Sequence, residues 1–242
     1  MQEHLGKFWK IFMTILGIII GGVMVIFIGF FVYYSWQFKF GNSESIGEIT
    51  KEFESKFSIT SENSAQVFIE NPLDYVRSHN PMQGSVEPKI TIISFIDFEC
   101  PYCQEQYSIL KKVSEKYNLI SKFVFKQLPL PSIHPYSYHA AIASTCAQEQ
   151  NKFWQYHDKL FESKKLDDDG LYTTAQDIGL NIELFNSCFK EEKHQKNITQ
   201  DNDDAIEIGV RGTPTHIINN EIVEGVLSLE DWDSFIIKHL KQ

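Results

Sequence analysis

Two cysteines that lie two residues apart, Cys100 and Cys103, form a CPYC sequence suited to redox chemistry. The apolar, β-branched run before them, KITIISFID (89–97), predicts a buried central strand, and CQEQYSILKKVSEKY (103–117) has the spacing of a helix. With Cys100 as N-cap, Pro101 falls in the first helical turn, where its missing N–H costs nothing. The helix N-terminus stabilises a thiolate at Cys100, and Cys103, one turn on, is placed to attack a mixed disulfide. This arrangement favours thiol–disulfide exchange.

A metal site and a pair of ordinary core thiols are the alternatives for the CPYC pair. Zinc sites commonly take four Cys or His ligands as two short-spaced pairs. The two other cysteines, Cys146 and Cys188, lie far apart in sequence. His134 and His139 are spaced like finger ligands but lack the rest of the finger pattern. Ordinary core thiols would not need a strand-to-helix junction, so we predict neither a metal ion nor a cofactor.

The elements that must position the pair follow an α/β order. A helical block from about 136 to 208 separates two groups of strands, and Ser228 is a candidate cap for a last helix that runs to Leu240. Residues 80–88 are predicted to be loop from their Pro and Gly content. The predicted strands are 64–70, 89–97, 122–130 and a hairpin of 215–219 and 221–225.

The N-terminal part of the chain contains a long uncharged segment, residues 11–38. A helix needs about 20 apolar residues to cross a bilayer, and a cleavable signal peptide has a shorter apolar stretch followed by small residues. We predict a cytoplasmic N-terminus at 1–10, a transmembrane anchor at 11–38 and a juxtamembrane stalk at 39–66; a buried soluble helix is the alternative. Gly17 and Gly21 form a GxxxG, a pattern that brings membrane helices together, so a homodimer is one expectation beside a monomer.

Length and composition indicate how many domains the chain forms and which kinds of partner it binds. The chain has 242 residues, 43% of them hydrophobic, which suits one domain plus attachments or two small domains. We assign 67–242 to one domain with a helical insertion at about 131–208. Asp and Glu number 32 against 22 Lys and Arg, giving a net charge of -10. An acidic chain repels phosphate, so we predict no nucleic-acid partner.

Four stretches in a fixed order carry a family resemblance: GSVEPKITIISFIDFECPYC, FVFKQLPL, HAAIASTCAQEQNKFWQYHDKLF and GVRGTPTHIINN, running from Gly84 to Asn220. With them the chain resembles the DsbA-like thiol:disulfide oxidoreductases of the thioredoxin superfamily. The resemblance implies a thioredoxin fold with a helical insertion. Glutaredoxins also carry CPYC but lack the large insertion.

The resemblance implies a cis-proline loop that faces the CPYC pair, with Pro214 as the candidate. A trans proline in a turn is the alternative. The backbone of Thr213 would then meet an extended client chain as an added strand. We therefore assign Cys100 and Cys103 to catalysis, and Thr213, Pro214 and Tyr102 to substrate binding. The best-known DsbA has a histidine in place of Tyr102 that helps stabilise the thiolate, so a milder oxidant is expected here.

Predictions for several further residues rest on the same resemblance or on the residues around them. Some family members have a second disulfide in the helical block, so Cys146 and Cys188 are predicted to form a structural disulfide, as an oxidising compartment allows. Ser94 stands six residues before the first cysteine, where thioredoxins have an acid. Glu99 is expected to be an exposed acid at the end of the strand, and His157 to be structural rather than a proton donor.

The resemblance and the predicted anchor together indicate a function outside the cytoplasm. We expect an enzyme in the inner membrane, single-pass, with its domain in the periplasm or outside the cell. It would pass its disulfide to unfolded or reduced exported proteins and be reoxidised by a membrane partner of the DsbB type. A disulfide reductase or isomerase on the same fold is the second enzymatic interpretation. A surface binding protein or assembly chaperone without catalysis is the third.

Overall fold

The computed structural model describes residues 21–22, 24–33 and 68–241. The chain divides into two compact units, Met1–Ala65 and Gln66–Gln242. Residues 21–22 and 24–33 are helical, and their side chains are exposed. Across the described ranges, no helix combines the length and the apolar character that crossing a membrane requires.

Most of the predicted N-terminal regions fall outside this description. The cytoplasmic N-terminus at 1–10 and the stalk at 39–66 lie wholly outside the described residues, and so does most of the anchor at 11–38, including Gly17. The membrane anchor and the homodimer through its glycines therefore stay predictions.

In the second unit, strands form a mixed sheet with the order β1-β3-β2-β4-β5. Strands β2 and β3 are parallel, and the other neighbouring strands are antiparallel. All residues of β2 are buried except the half-buried Thr91, because the sheet is covered on both faces at this central strand. The strands are β1 Met82–Gly84, β2 Ile90–Ile96, β3 Ser121–Gln127, β4 Thr215–Ile218 and β5 Glu221–Glu224.

From β2 onward, the helices and strands of this unit follow the order that the sequence predicts. The order of strand, CPYC, helix, strand, helical block, hairpin and helix is confirmed. The helices are α1 Pro101–Tyr117, α2 Ser137–Glu149, α3 Phe153–Ser163, α4 Asp168–Asp177, α5 Ile182–Lys190, α6 Gln195–Ile208 and α7 Leu229–Leu240, with a short 3-10 turn at Pro72–Tyr75.

Two predictions for the segments before β2, one of a loop and one of a strand, need correction. Residues 80–88 were expected to be loop, but Met82–Gly84 form the edge strand β1, whose three residues are all exposed and so show no apolar alternation. Gly84 has φ +100 and lies against the carbonyl of Ser121, a position that excludes a side chain. In the predicted strand 64–70, the described part reduces to one bridge between Phe68 and Glu221; residues 64–67 lie outside the description.

The two faces of the sheet pack against different helices because β2 alternates its side chains. Ile92 packs with Val113 of α1 and Trp232 of α7, whereas Ile93 packs with Ala205 of α6. Helix α7 begins as predicted at Ser228, whose hydroxyl accepts from the backbone N–H of Asp231 in a capping box. Such caps stabilise a helix by about 1 kcal/mol.

A buried lysine joins the segment before β1 to the sheet and to α6. The Lys126 side chain is fully buried in β3, with its Nζ 2.8 Å from Asp201 and 2.7 Å from Asp204. It also donates to the Tyr75 carbonyl at 2.8 Å, and Arg77 donates to Asp204. A buried charge needs such partners, because losing one leaves an uncompensated ion at a cost of about 3–5 kcal/mol.

Candidate redox site

The CPYC pair lies where β2 ends and α1 begins, as the sequence predicts. Cys100 is the N-cap with extended backbone, and Pro101 is the first helical residue. The Cys100 carbonyl accepts from Gln104 N–H at 3.0 Å, so the helix starts at the cysteine itself. Both thiols are therefore held within the first turn, where free N–H groups face a developing negative charge.

The two thiols are free and buried, but their environments differ. The pKa of Cys100 is lowered to about 5, chiefly by a hydrogen bond from the Cys103 thiol, which outweighs the opposing effect of burial. Backbone N–H groups at the start of α1 add to the lowering. Burial and the neighbouring Cys100 sulfur raise the pKa of Cys103 well above its usual range. One sulfur is thus a thiolate near neutral pH, and the other keeps its proton.

The loop before β4 supplies the third side of the site. The Thr213–Pro214 peptide bond is cis, and the Cys100 Sγ lies 3.2 Å from the Thr213 carbonyl, to which it donates when protonated. Thr215 is the register partner of Phe95 in β2, which brings this loop to the end of the strand that carries the cysteines. The structure therefore brings Cys100, Cys103, Thr213 and Pro214 together.

Tyr102 lies on the surface of the same helical turn, with 58% of its area exposed. Tyr136 and Ile133, in the loop after β3, are also exposed. Glu99 ties this loop to the cysteine turn by accepting from Tyr136 N–H at 2.6 Å. The expectation of a freely exposed acid at Glu99 was wrong, because the residue is half-buried and its carboxylate caps a backbone donor.

Asp97 is a positioning residue that the sequence did not single out. Its buried carboxylate accepts from Glu99 N–H at 2.8 Å, from Leu130 N–H at 3.0 Å and from His134 Nδ1 at 2.8 Å. These bonds fix the turn that leads into Cys100. An acid at the end of an apolar strand, directly before a turn, is a signal that would have found it, because such an acid accepts from turn N–H groups.

Ser94 has a histidine partner that the sequence did not reveal. Ser94 and His216 are register partners on β2 and β4, and the Ser94 hydroxyl lies 2.9 Å from His216 Nδ1. Burial lowers the pKa of His216 to about 3, so the ring is neutral at physiological pH. At the position where thioredoxins have an acid, this chain thus has a neutral hydrogen-bonded pair. The contact results from the pairing of β2 with β4, and the sequence does not predict which residues face each other until the strand register is known.

A cavity of about 240 Å³ lies behind Cys103. Its lining includes Ser94, Gln106 and His157. His157 is almost fully enclosed by aromatic rings and lies 3.0 Å from Asp158 Oδ1, and burial lowers its pKa. These contacts favour a packing role for His157. The surrounding rings belong to Phe98, Tyr107, Phe125, Phe153, Trp154 and Phe161.

The second cysteine pair lies in the helical block. Cys146 of α2 and Cys188 of α5 are joined by a disulfide with a Cα–Cα distance of 5.8 Å, across 42 residues of sequence. Both side chains are buried. The bond crosslinks two helices that also pack against each other through the core of the insertion.

Comparison with known proteins agrees with this architecture. A family model described as thioredoxin matches residues 77–238, so the chain belongs to the thioredoxin family. A periplasmic thioredoxin-like protein from Salmonella enterica serovar Typhimurium is 26% identical, with a TM-score of 0.60 over 72% of this chain and 99% of that one. The thiol-disulfide exchange protein alpha-DsbA2 from Wolbachia pipientis is 19% identical, with a TM-score of 0.61 over 81% of this chain and 97% of that one.

The fold is thus that of DsbA-type thiol–disulfide oxidoreductases, and the resemblance in sequence is confirmed at this level. Among curated proteins, the Na(+)/H(+) antiporter NhaA 3 of Salinispora tropica is 32% identical over 160 residues, or 66% of this chain. That match covers 24% of the antiporter, so the chain spans about a quarter of the length of this relative.

Proposed function

We propose that this protein exchanges disulfides with exported proteins, with Cys100 as the nucleophile. The observation that carries the proposal is the difference between the two thiols, since the pKa of Cys100 is lowered to about 5 while that of Cys103 is raised. A thiolate is both the better nucleophile and the better leaving group. The thioredoxin fold and the strand-to-helix position of the pair support the same chemistry.

The proposed oxidation begins with the Cys100–Cys103 disulfide. A client thiolate attacks Cys100 Sγ, the bond between the two cysteines breaks, and Cys103 leaves and takes up a proton because burial raises its pKa. A second client thiolate then attacks the client sulfur of the mixed disulfide. The client disulfide forms and Cys100 leaves as a stable thiolate. The client loses two electrons, and the cysteine pair gains them.

Client binding is proposed for the surface around Cys100. The backbone of Thr213, held by the cis Pro214, would pair with an extended client as an added strand. The exposed rings of Tyr102 and Tyr136 and the side chain of Ile133 offer apolar contact area beside it. Unfolded or reduced proteins, which expose apolar side chains and extended backbone, fit this surface.

The compartment and the recycling partner are part of the proposal. We propose the inner membrane as the location, with residues 11–38 as a single anchor, 1–10 in the cytoplasm, 39–66 as a stalk and the domain from 67 onward in the periplasm or outside the cell. The uncharged run at 11–38 and the periplasmic thioredoxin-like neighbour support this location. A membrane protein of the DsbB type would reoxidise the Cys100–Cys103 pair.

Oxidation is favoured over reduction or isomerisation by the acidity of Cys100. Its pKa of about 5 lies between about 3.5 in DsbA and about 7 in thioredoxin. A stabilised thiolate favours the reduced pair and so makes the disulfide a stronger oxidant. With Tyr102 in place of histidine, a milder oxidant than DsbA is the expectation.

Equilibration of the full-length protein with a glutathione series tests the direction of electron flow. The expected reduction potential lies between about -270 mV for thioredoxin and about -120 mV for DsbA. A potential at or below that of thioredoxin would assign the protein to the reductases. Activity is followed as disulfide formation in a reduced, unfolded client.

Cys100→Ser and Cys103→Ser variants separate catalysis from binding alone. Cys100→Ser should lose exchange. Cys103→Ser should accumulate a mixed disulfide with a client that carries a disulfide, because the Cys100 thiolate can attack that bond but the second thiol that would release the client is missing. If Cys100→Ser retains both oxidation and insulin reduction, the redox proposal fails. A chaperone or surface binding protein would keep its partner in both variants.

A further inference from the structure

The helical insertion brings three metal-ligating side chains together, Glu149, Cys188 and His194, and Cys146 adjoins them through its bond to Cys188. Cys146 and Glu149 lie three residues apart in α2, so they share one face of that helix. Cys188 near the end of α5 and His194 at the N-cap of α6 are separated by a tight turn, in which Glu192 has φ 45. Two short-spaced pairs from separate elements are the common layout of a structural zinc site.

The distances suit a single small cation. The ligand atoms of Glu149, Cys188 and His194 all lie within 4.8 Å of one another, and Cys146 is bonded to Cys188. His194 Nε2 is 2.9 Å from Glu149 Oε2. Donors that bind one Zn²⁺ at about 2.0–2.3 Å stand roughly 3.5 Å apart at tetrahedral corners. Shifts of about 1 Å would therefore bring Glu149, Cys188 and His194 onto one ion, and Cys146 can reach the fourth corner once its bond to Cys188 is broken and the two sulfurs move apart.

The redox state of the Cys146–Cys188 pair determines whether its sulfurs can bind a metal ion. Sulfurs that are bonded to each other carry no negative charge, whereas thiolates are strong ligands for zinc. We propose that the reduced form of the Cys146–Cys188 pair binds one Zn²⁺, with His194 and Glu149 as the remaining ligands. The inference is independent of the exchange chemistry proposed for Cys100.

The chemistry balances in two steps. A dithiol reductant delivers two electrons and two protons to the disulfide, giving two protein thiols and the oxidised dithiol. Zn²⁺ then displaces the two thiol protons, binds the neutral ring of His194 and one carboxylate oxygen of Glu149, and undergoes no redox change itself. The ion thus replaces one crosslink between α2 and α5 with another.

The local charges and donor types select the ion. Two thiolates and one carboxylate on Zn²⁺ leave a net charge of about -1, from the formal charges of the ligands. Lys193 already pairs with Oε1 of Glu149, so a compensating positive charge is in place. Sulfur and imidazole donors prefer zinc over magnesium or calcium, which take oxygen ligands.

Cobalt(II) titration tests the proposal in the full-length chain. Cys100→Ser and Cys103→Ser are both introduced so that thiolates at the redox site do not contribute. The protein is reduced with a dithiol, freed of it without oxygen and titrated with Co²⁺. We expect one ion per chain with the thiolate-to-cobalt absorption and the intense visible bands of tetrahedral coordination, displaced by Zn²⁺. The oxidised protein should show none of these bands.

Two variants check the ligand set. His194→Ala should weaken Co²⁺ binding by at least about tenfold, in the range known for altered metal sites. His139→Ala is the matched control, since His139 is another histidine of the insertion paired with a carboxylate, Asp168, and this variant should bind Co²⁺ as the parent does. Circular dichroism follows folding throughout.

Three results would overturn the proposal: a reduced chain that stays folded but binds no Co²⁺ with these bands, a reduced chain that unfolds and is not refolded by Zn²⁺, or equal binding by His194→Ala and the parent. If the proposed exchange activity of Cys100 were not found, none of these three results would be affected, so the two proposals can fail separately.

Discussion

The two cysteine pairs of this protein place the same residue type in opposite surroundings. Cys100 and Cys103 are free thiols at the start of a helix, where N–H groups and a neighbouring thiol stabilise one negative charge. Cys146 and Cys188 face each other between two packed helices and are bonded. Reactivity therefore depends on what surrounds the sulfur atom. A charge-stabilising turn makes an exchanging pair, and an apolar interface between helices makes a lasting crosslink.

Removing the structural bond should have the largest effect on stability. The variant with Cys146→Ala and Cys188→Ala should lose about 4 kcal/mol of unfolding free energy, the chain-entropy value for a loop of about 40 residues. Urea unfolding of the oxidised proteins measures it.

The same variant should leave the acidity of Cys100 near its parent value, because the two pairs lie in separate environments. Titration of the thiolate absorbance gives this acidity. A large change in the pKa of Cys100 would show that the two pairs are coupled and would break the contrast between them.

The exchanging pair should instead make stability depend on pH. The pKa of Cys100 falls from an ordinary value of 9.0 to about 5 on folding. A lowered pKa contributes stability that is present in full above the unfolded value and is lost as pH falls through the folded value. The stability of the reduced form relative to the oxidised form should therefore be greatest above about pH 9 and should fall as the pH drops to about 5.

Thermal unfolding of both redox forms across this pH range measures the difference. Cys100→Ser supplies the control, since it has no thiolate at this position and should show a flatter pH dependence. A stability difference that does not change between pH 9 and pH 5 would contradict a lowered pKa at Cys100.

Tyr102→His should give the smallest of these effects and would sharpen the contrast further. A protonated ring beside the helix start favours the Cys100 thiolate, lowers its pKa and makes the disulfide more oxidising. Because Tyr102 is 58% exposed, solvent screens the charge, and we expect a change of about tenfold or less in the redox equilibrium, or about 30 mV. Glutathione equilibration of variant and parent gives the value; a shift toward reducing potentials would refute the expectation.

The sequence predicted the elements around the cysteines because each has a local signal. The β-branched run of β2, the N-cap position of Cys100 and the capping residue Ser228 all depend on neighbours within a few residues, and the structure agrees with each. The edge strand β1 was missed because its exposed residues carry no periodic pattern.

The contacts that the sequence did not predict are those between distant segments. Ser94 meets His216 across 122 residues of chain, and Lys126 meets Asp204 across 78. Such pairs follow from strand register and helix packing, which depend on the whole fold. Asp97 was missed for a different reason. Its carboxylate accepts from the nearby Glu99 N–H and, at the same time, from His134 in the loop after β3.

The hydrogen bond between Cys100 and Thr213 has a consequence for turnover. The Cys100 Sγ lies 3.2 Å from the Thr213 carbonyl and can donate to it only while the sulfur keeps its proton. Because the pKa of Cys100 is lowered to about 5, the thiolate present near neutral pH leaves this carbonyl open to an incoming backbone, as a mixed disulfide also does. If Thr213 meets the client as proposed, the client keeps its acceptor through the whole exchange. Protonation of Cys100 at acid pH would then both remove the nucleophile and place a competing donor on the same oxygen.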